Sequence, residues 1–441
     1  MKVKNGSKIL FLILIFAFLT RIFRLQVPDR YMFDEVYHVV TAKLIGANDP
    51  RAFEWWHAPI EPNTAIDWLH PPLAKYTQGF SIRVLGSSSF SWRISSVLFG
   101  VGVIWAVYQL AQKLFDDQRI SLLAAFLAAL DGLLLVQSRI TMNDIHVTFF
   151  ILLTLISYLN YKKNPQNIKL FMTGLSAGLA MGSKWSGLFI LVIIWFLEGL
   201  EWLKKIITQQ TNWDKLVSHG LLMIVSLGLI PFTIYMLSYG QMFLQGKGWQ
   251  HFIDLHQQIW WYQTNLTATH SYQSQPWQWF LNLRPVWFHV DYPDPTHIAN
   301  IYAFGNPLLH PIGALSSVLT FLFIIITKIK TRLSQNLSIE IKNLQLLFIT
   351  YLLLWLPWQI SPRIMFYYHY TPAVPLLTII LAYWLVRTWE IKTSSDWNKI
   401  FVGSIVILIV IAFFIWYPQW TAIPMPKDFV NKIYYFIPSW K

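Results

Sequence analysis

The sequence predicts an all-α polytopic membrane protein, and three observations predict it. Only 12% of the 441 residues are charged, where a soluble chain averages about 25%, and 55% are hydrophobic, with 23 Trp and 31 Phe. Apolar runs such as Leu188 to Leu197 and Phe401 to Trp416 carry no charge or only a terminal neighbour, which describes lipid as the solvent. The basic residues recur between such runs instead of gathering into a stripe, so the net charge of +13 reads as membrane topology and not as nucleic-acid binding. A cytosolic enzyme, a disordered chain and a small secreted module are excluded. The absence of cysteine also excludes a disulfide framework, thiolate-ligated zinc and a cysteine nucleophile.

Lys2, Lys4 and Lys8 precede an apolar run from Ile9 to Leu19. No small-residue cleavage site follows it, and Arg21 and Arg24 come next, so it reads as an uncleaved first span. Residues 25–92 then form a long connection. Further apolar runs lie near 94–114, 120–138, 145–161, 169–182, 185–203 and 217–239. A second long connection covers 240–306, and runs near 307–327, 343–358, 366–386 and 400–418 complete a count of eleven helices, since a span needs roughly 20 residues. The 169–182 run is short and Gly-rich. Both long connections are rich in Trp, Tyr, Pro and His, so they are ordered surface, with a short amphipathic helix expected around Ile253 to Trp261 on the outer leaflet.

Placing the N-terminus inside puts Lys or Arg in every inside connection: Lys113 and Arg119; Lys162, Lys163 and Lys169; Lys204, Lys205 and Lys215; Lys328, Lys330, Arg332 and Lys342; Arg387, Lys392 and Lys399. The short outside connections carry only Arg139, Lys184 and Arg363. The C-terminus is then outside, and the chain is one membrane domain over 1–441.

Charges at membrane depth cost about 2.5–3.5 kcal/mol each and call for a reason. Arg21, Arg24, Arg93, Arg139, Lys184 and Arg363 all fall at the outer boundary, against the positive-inside trend. Each could merely snorkel or pair locally, Arg139 with Asp144 for example. As a set they suggest an anion site at headgroup level, such as a lipid phosphate. Asp34-Glu35 lies on the same side, just after the first span; about one adjacent acidic pair is expected by chance in such a chain, so its location and not its existence is informative.

A sugar attached through its anomeric carbon to a lipid phosphate fits this combination. Cations stabilise the departing phosphate, so no general acid is needed, and a single carboxylate can take the acceptor's proton. A hydrolase would want two carboxylates flanking the bond. A transporter would spread its charges through the midplane. His38, His57 and His70 in the first loop, with His289 and His297 in the second, show no tight ligand spacing, so no metal is assigned and no cofactor is required; a divalent ion with loop carboxylates is the open alternative.

A series of short motifs resembles those of one family of membrane enzymes. Phe33-Asp34-Glu35 with Tyr37-His38 is similar to that family's Asp-Glu motif, and His70-Pro71-Pro72-Leu73-Ala74-Lys75 to its His-Pro-Pro-Leu-Gly/Ala-Lys segment. Gln137-Ser138-Arg139 through Asp144, and Ser183-Lys184-Trp185-Ser186-Gly187, resemble two more. Tyr272 to Trp277, Gly305-Asn306-Pro307, Met365 to Tyr368 and Ile437 to Trp440 resemble the bacterial branch in particular. The family is that of the protein O-mannosyltransferases, and the resemblance runs through nearly the whole chain in order. It implies a GT-C type glycosyltransferase that moves mannose from a polyprenyl-phosphate carrier to Ser or Thr hydroxyls of exported polypeptides with inversion at C1. Asp34 would be the general base and Glu35 would orient acceptor or donor. Arg93, Arg139 and Lys184 would hold the lipid phosphate, with Arg21, His70 and Asp144 in support. Eukaryotic members carry a large lumenal domain between spans seven and eight, for which 240–306 is too short. That implies a prokaryotic plasma-membrane enzyme with an extracytoplasmic site. A GT-C transferase with a lipid or glycan acceptor is the alternative.

Overall fold

The computed structural model describes residues 2–331, 338–392, 396–435 and 437–440; Arg332, one of the expected inside cations, lies outside them. Helix α1 (Gly6–Ile22) leads into the first long connection, which carries α2 (Glu35–Gly46) and α3 (Leu73–Leu85). The bundle continues through α4 (Ser89–Phe115), α5 (Gln118–Ala129), α6 (Gly132–Gln137), α7 (Asp144–Lys163), α8 (Asn167–Ser183) and α9 (Leu188–Ile207). Then α10 (Trp213–Ile224) runs through a π-helical turn into α11 (Ile230–Ser238). The second long connection holds α12 (Gly240–Leu244), α13 (Trp249–Asn265), α14 (Pro276–Trp279) and strands β1 (Val286–Asp291) and β2 (His297–Ala303). Helices α15 (Leu309–Thr331), α16 (Ile339–Trp355), α17 (Val374–Trp389) and α18 (Trp397–Thr421) complete the bundle, and β3 (Met425–Pro426) follows.

Among the described residues, 7 helices are long and apolar enough to cross a membrane: Ser89–Phe115, Asp144–Lys163, Trp185–Ile207, Trp213–Ser238, Leu309–Lys330, Ile339–Ile360 and Trp397–Thr421. The other expected runs are helical but shorter. The run at 120–138 is broken between α5 and α6, because Asp131 leaves the helix and caps the next one, its Oδ1 accepting from Leu134 N at 2.8 Å. The run at 366–386 starts late. Tyr367–Tyr370 form a buried 3₁₀ turn, and α17 begins at Val374 with Pro375 in its first turn. The Gly-rich α8 fills its 17 residues, and its glycines have a packing reason: a Cβ on Gly174 would sit 1.7 Å from Ser226 O, and one on Gly178 3.0 Å from the Pro231 backbone.

The expectation of an all-α chain is corrected by a small sheet of order β1-β2-β3. β1 and β2 pair antiparallel, Val286 opposite Ala303, with Trp287 stacked on Tyr302 at 5.5 Å. The amphipathic helix expected around Ile253 to Trp261 is present as α13. At the end of the bundle where the expected inside connections meet, Arg119 pairs with Asp117 and Glu390, and Arg387 with Glu340 and Glu390. The opposite end holds the cavity.

Candidate active site

Five connections converge on one cavity of about 890 Å³. They are the first long connection (through residues 34–38 and 65–70), the α6–α7 turn, the α8–α9 turn, the second long connection (through residues 260–268) and the stretch before α17; every one is an expected outside connection. Its lining combines polar residues, among them Asp34, His38, Asp67, His70, Asp144, Lys184, Arg363 and Tyr368, with apolar ones such as Met181, Leu188, Phe189, Trp358 and Ile364. A pocket of that size and mixed lining suits an amphipathic ligand.

Asp34 is presented by a constrained turn. Phe33 before it has φ +48°, a left-handed conformation that costs a bulky residue about 1–2 kcal/mol. Stacking on Phe288 at 4.3 Å and an edge contact with Tyr368 hold it there. The Tyr368 hydroxyl donates to Asp34 Oδ2 over a long 3.4 Å. Burial pushes the Asp34 carboxyl up to about 6, with Asp67 and Asp144 adding repulsion and His38 and Lys184 opposing it.

Glu35 turns the other way. It is fully buried and takes a two-point ion pair from Arg93, at 2.9 Å from Nε and 2.7 Å from its second amino group. It also accepts from the amides of Met32 and Thr141, at 3.1 Å each. The remaining Arg93 donors reach the carbonyls of Leu25, Pro28 and Arg30 at 3.0, 2.9 and 3.0 Å. Neither residue lines the cavity. All the Arg93 donors are engaged by Glu35 and these carbonyls, and Glu35 ties the turn before Asp34 to Arg93 and to the Thr141 amide.

Arg139 also lies outside the cavity lining. Its guanidinium caps the carbonyl end of α1, donating to Arg21 O at 2.6 Å, Phe23 O at 2.7 Å and Arg24 O at 3.3 Å. Buried Arg21 bonds Ser138 Oγ at 3.1 Å and Ala17 O at 3.2 Å, so it braces the start of the α6–α7 turn. Asp144 pairs with Lys184 at 2.7 Å and not with Arg139.

Two cations of the predicted set therefore face the cavity. Lys184 Nζ is held by Asp144 and lies 5.6 Å over the Tyr368 ring. Arg363, counted from the sequence but given no role there, donates to Gln263 Oε1, while its buried Nε has no partner among the described residues. His70 lines the cavity and bonds Asp67, which no sequence pattern selected. The available signal was a carboxylate three residues before the histidine of the His-Pro-Pro segment. His38, Asp67 and His70 each offer one ligand atom within 4.8 Å of the others, a cluster hidden in the sequence because α2 supplies one member and the 67–70 turn the rest. Lys75 Nζ already sits 2.7 Å from Asp67 Oδ2, where its charge would oppose a bound dication.

The pattern of dolichyl-phosphate-mannose-protein mannosyltransferases matches residues 68–243, and that of the C-terminal four-span region of protein O-mannosyltransferases matches residues 248–440. The polyprenol-phosphate-mannose–protein mannosyltransferase of Corynebacterium glutamicum is 24% identical, covering 98% of this chain and 92% of its own length. The Mycobacterium tuberculosis protein of the same name is 23% identical over 85% of this chain and 81% of its own. Among solved structures, the S. cerevisiae protein O-mannosyltransferase Pmt1-Pmt2 complex bound to the sugar donor superposes with a TM-score of 0.83 at 14% identity, covering 100% of this chain and 93% of that one. ArnT of Cupriavidus metallidurans bound to undecaprenyl phosphate gives 0.57 at 13% identity, covering 91% and 63%. The two family patterns together span most of the sequence, and the chain belongs to the dolichyl-phosphate-mannose-protein mannosyltransferase family.

Proposed function

We propose that the protein transfers mannose from polyprenyl-phosphate-mannose to Ser or Thr hydroxyls of exported polypeptides, with inversion at C1. The names of the bacterial relatives support the donor and the protein acceptor. The working topology is eleven membrane helices with the N-terminus inside, in a prokaryotic plasma membrane, and the cavity on the extracytoplasmic side.

The observation that carries the reading is a half-buried carboxylate, Asp34, lifted to about 6 in a cavity that also holds Lys184 and Arg363. The acceptor oxygen attacks C1 as its proton passes to Asp34, and the bond from C1 to the phosphate oxygen breaks with its electron pair on the phosphate. Lys184 and Arg363 face that developing charge, and Asp144 keeps Lys184 aimed. A single displacement inverts C1. A base near 6 is ionised at neutral pH yet basic enough to share the proton in the transition state. The apolar lining residues Leu188, Phe189 and Trp358 suit the first isoprenes of the carrier.

The test uses purified protein, radiolabelled polyprenyl-phosphate-mannose and a Ser/Thr-rich peptide, with wild type beside Asp34→Asn. Label should pass to the peptide with wild type only. Donor binding without peptide labelling would point to a lipid or glycan acceptor, and equal activity in Asp34→Asn would remove Asp34 from the mechanism.

A further inference from the structure

Asp67 is the most heavily partnered carboxylate on the cavity wall. His70 Nδ1 lies 2.9 Å from its Oδ1, while His38 Nδ1 at 2.9 Å and Lys75 Nζ at 2.7 Å share Oδ2. Its backbone is fixed as well, the amide donating to Thr41 Oγ1 at 2.7 Å and the carbonyl accepting from Lys75 at 2.8 Å. Despite burial, the two histidines and Lys75 hold its carboxyl well below the usual range, so it is ionised.

An ionised carboxylate only accepts hydrogen bonds, so the His70 nitrogen facing it must carry a proton. Burial lowers His70 to about 4, an effect that the Asp67 charge only partly offsets, so the ring is neutral at working pH and its Nε2 is a bare lone pair. Among the described residues Nε2 has no hydrogen-bond partner, and the side chain is 23% exposed, toward the cavity it lines.

Resting on the mannosyl-transfer reading, the geometry points to His70 Nε2 as the acceptor for one hydroxyl of the donor sugar, with Asp67 as the positioning residue that fixes the ring's tautomer. So weak a base leaves the acceptor's proton to Asp34; a hydroxyl that keeps its proton, as those of the sugar ring do, is what it can bind. A site that bonds a substrate hydroxyl discriminates strongly against the analogue lacking it. The pair therefore acts on which sugar is used, not on the transfer itself.

The test is a series of polyprenyl-phosphate-mannose donors, each lacking one ring hydroxyl, assayed with the Ser/Thr-rich peptide on the full-length enzyme. Wild type should lose about tenfold or more in kcat/KM on one deoxy donor. His70→Phe, which keeps ring volume and leaves the Asp67–Lys75 pair intact, should lose activity on the parent donor mainly through KM and treat parent and deoxy donor alike. His70→Gln, with a side-chain carbonyl to offer, should restore part of the discrimination. Asp67→Asn, which can accept from only one of the two imidazoles, should also lose it, but the His70 variants decide because they do not strand Lys75. If His70→Phe discriminates as wild type does, the inference is overturned. It is equally overturned if a chelator abolishes wild-type activity, manganese or zinc restores it, and His70→Phe no longer holds the metal. Failure of wild type on the parent donor and peptide would instead overturn the mannosyl-transfer reading.

Discussion

The charged side chains around the site divide into two sets with different expected phenotypes. Asp34 faces the cavity with its carboxyl raised to about 6, so activity should fall on the acid side with a midpoint near that pH as the base is protonated. The sign for stability is opposite. A carboxyl raised in the folded state contributes stability below its unfolded value, and that contribution is lost as pH rises through about 6. Asp34→Asn should therefore abolish transfer while leaving thermal stability at pH 7.5 unchanged or higher; a marked drop in melting temperature would make Asp34 structural. Lys184→Ala should raise KM for the donor about tenfold or more, since a charge-assisted contact to phosphate is worth about 1.5–3 kcal/mol. An unchanged donor titration would leave Lys184 as a partner of Asp144 only. Arg93→Lys belongs to the other set. It cannot reproduce the two-point pair with Glu35 plus three carbonyl contacts, and disrupting a buried pair costs about 3–5 kcal/mol. Loss of folded protein in detergent, and not a selective donor defect, is the outcome to look for. The sequence picked out these residues by type and side of the membrane, but not which cations point into the cavity and which are consumed by backbone carbonyls.

The elements show the same limit of the sequence. Apolar runs located the helices, and lysines located their ends, because a membrane helix is legible from composition over a window. The α5–α6 break was not legible: Asp131 within an apolar run is accommodated by partners distant in sequence, His310 Nε2 at 2.7 Å and the Asn306 amide at 3.3 Å. The β1–β2 hairpin has only a weak local signal, aromatic and β-branched residues on either side of Pro293-Asp294-Pro295, within a chain whose composition is that of membrane helices. The glycines of α8 give a direct test of packing. Gly174→Val places its side chain against Ser226 O and should lower the melting temperature by the equivalent of about 1–3 kcal/mol or more. Gly403→Ala on α18, with open space around its Cβ position, should be neutral or slightly stabilising.

For the whole molecule, the testable quantity is orientation. The chain has no cysteine, so single cysteines report position without a background. A membrane-impermeant thiol reagent added to intact cells should label Thr269→Cys, between α13 and α14, and spare Asn164→Cys, between α7 and α8; the reverse pattern would invert the topology. The membrane class, the positions of the apolar helices, the gathering of cations with Asp34 and the family resemblance were legible from the amino acids alone, because each depends on composition or on residues adjacent in the chain. The fold was needed to separate Glu35, Arg93, Arg139 and Arg21, which are buried away from the cavity, from Asp34, Lys184, Arg363 and the His70–Asp67 pair, which line it. A charged side chain's role depends on which partners saturate it. Those partners come from segments tens to hundreds of residues away, as with Arg139 against the end of α1, so no local pattern could assign them.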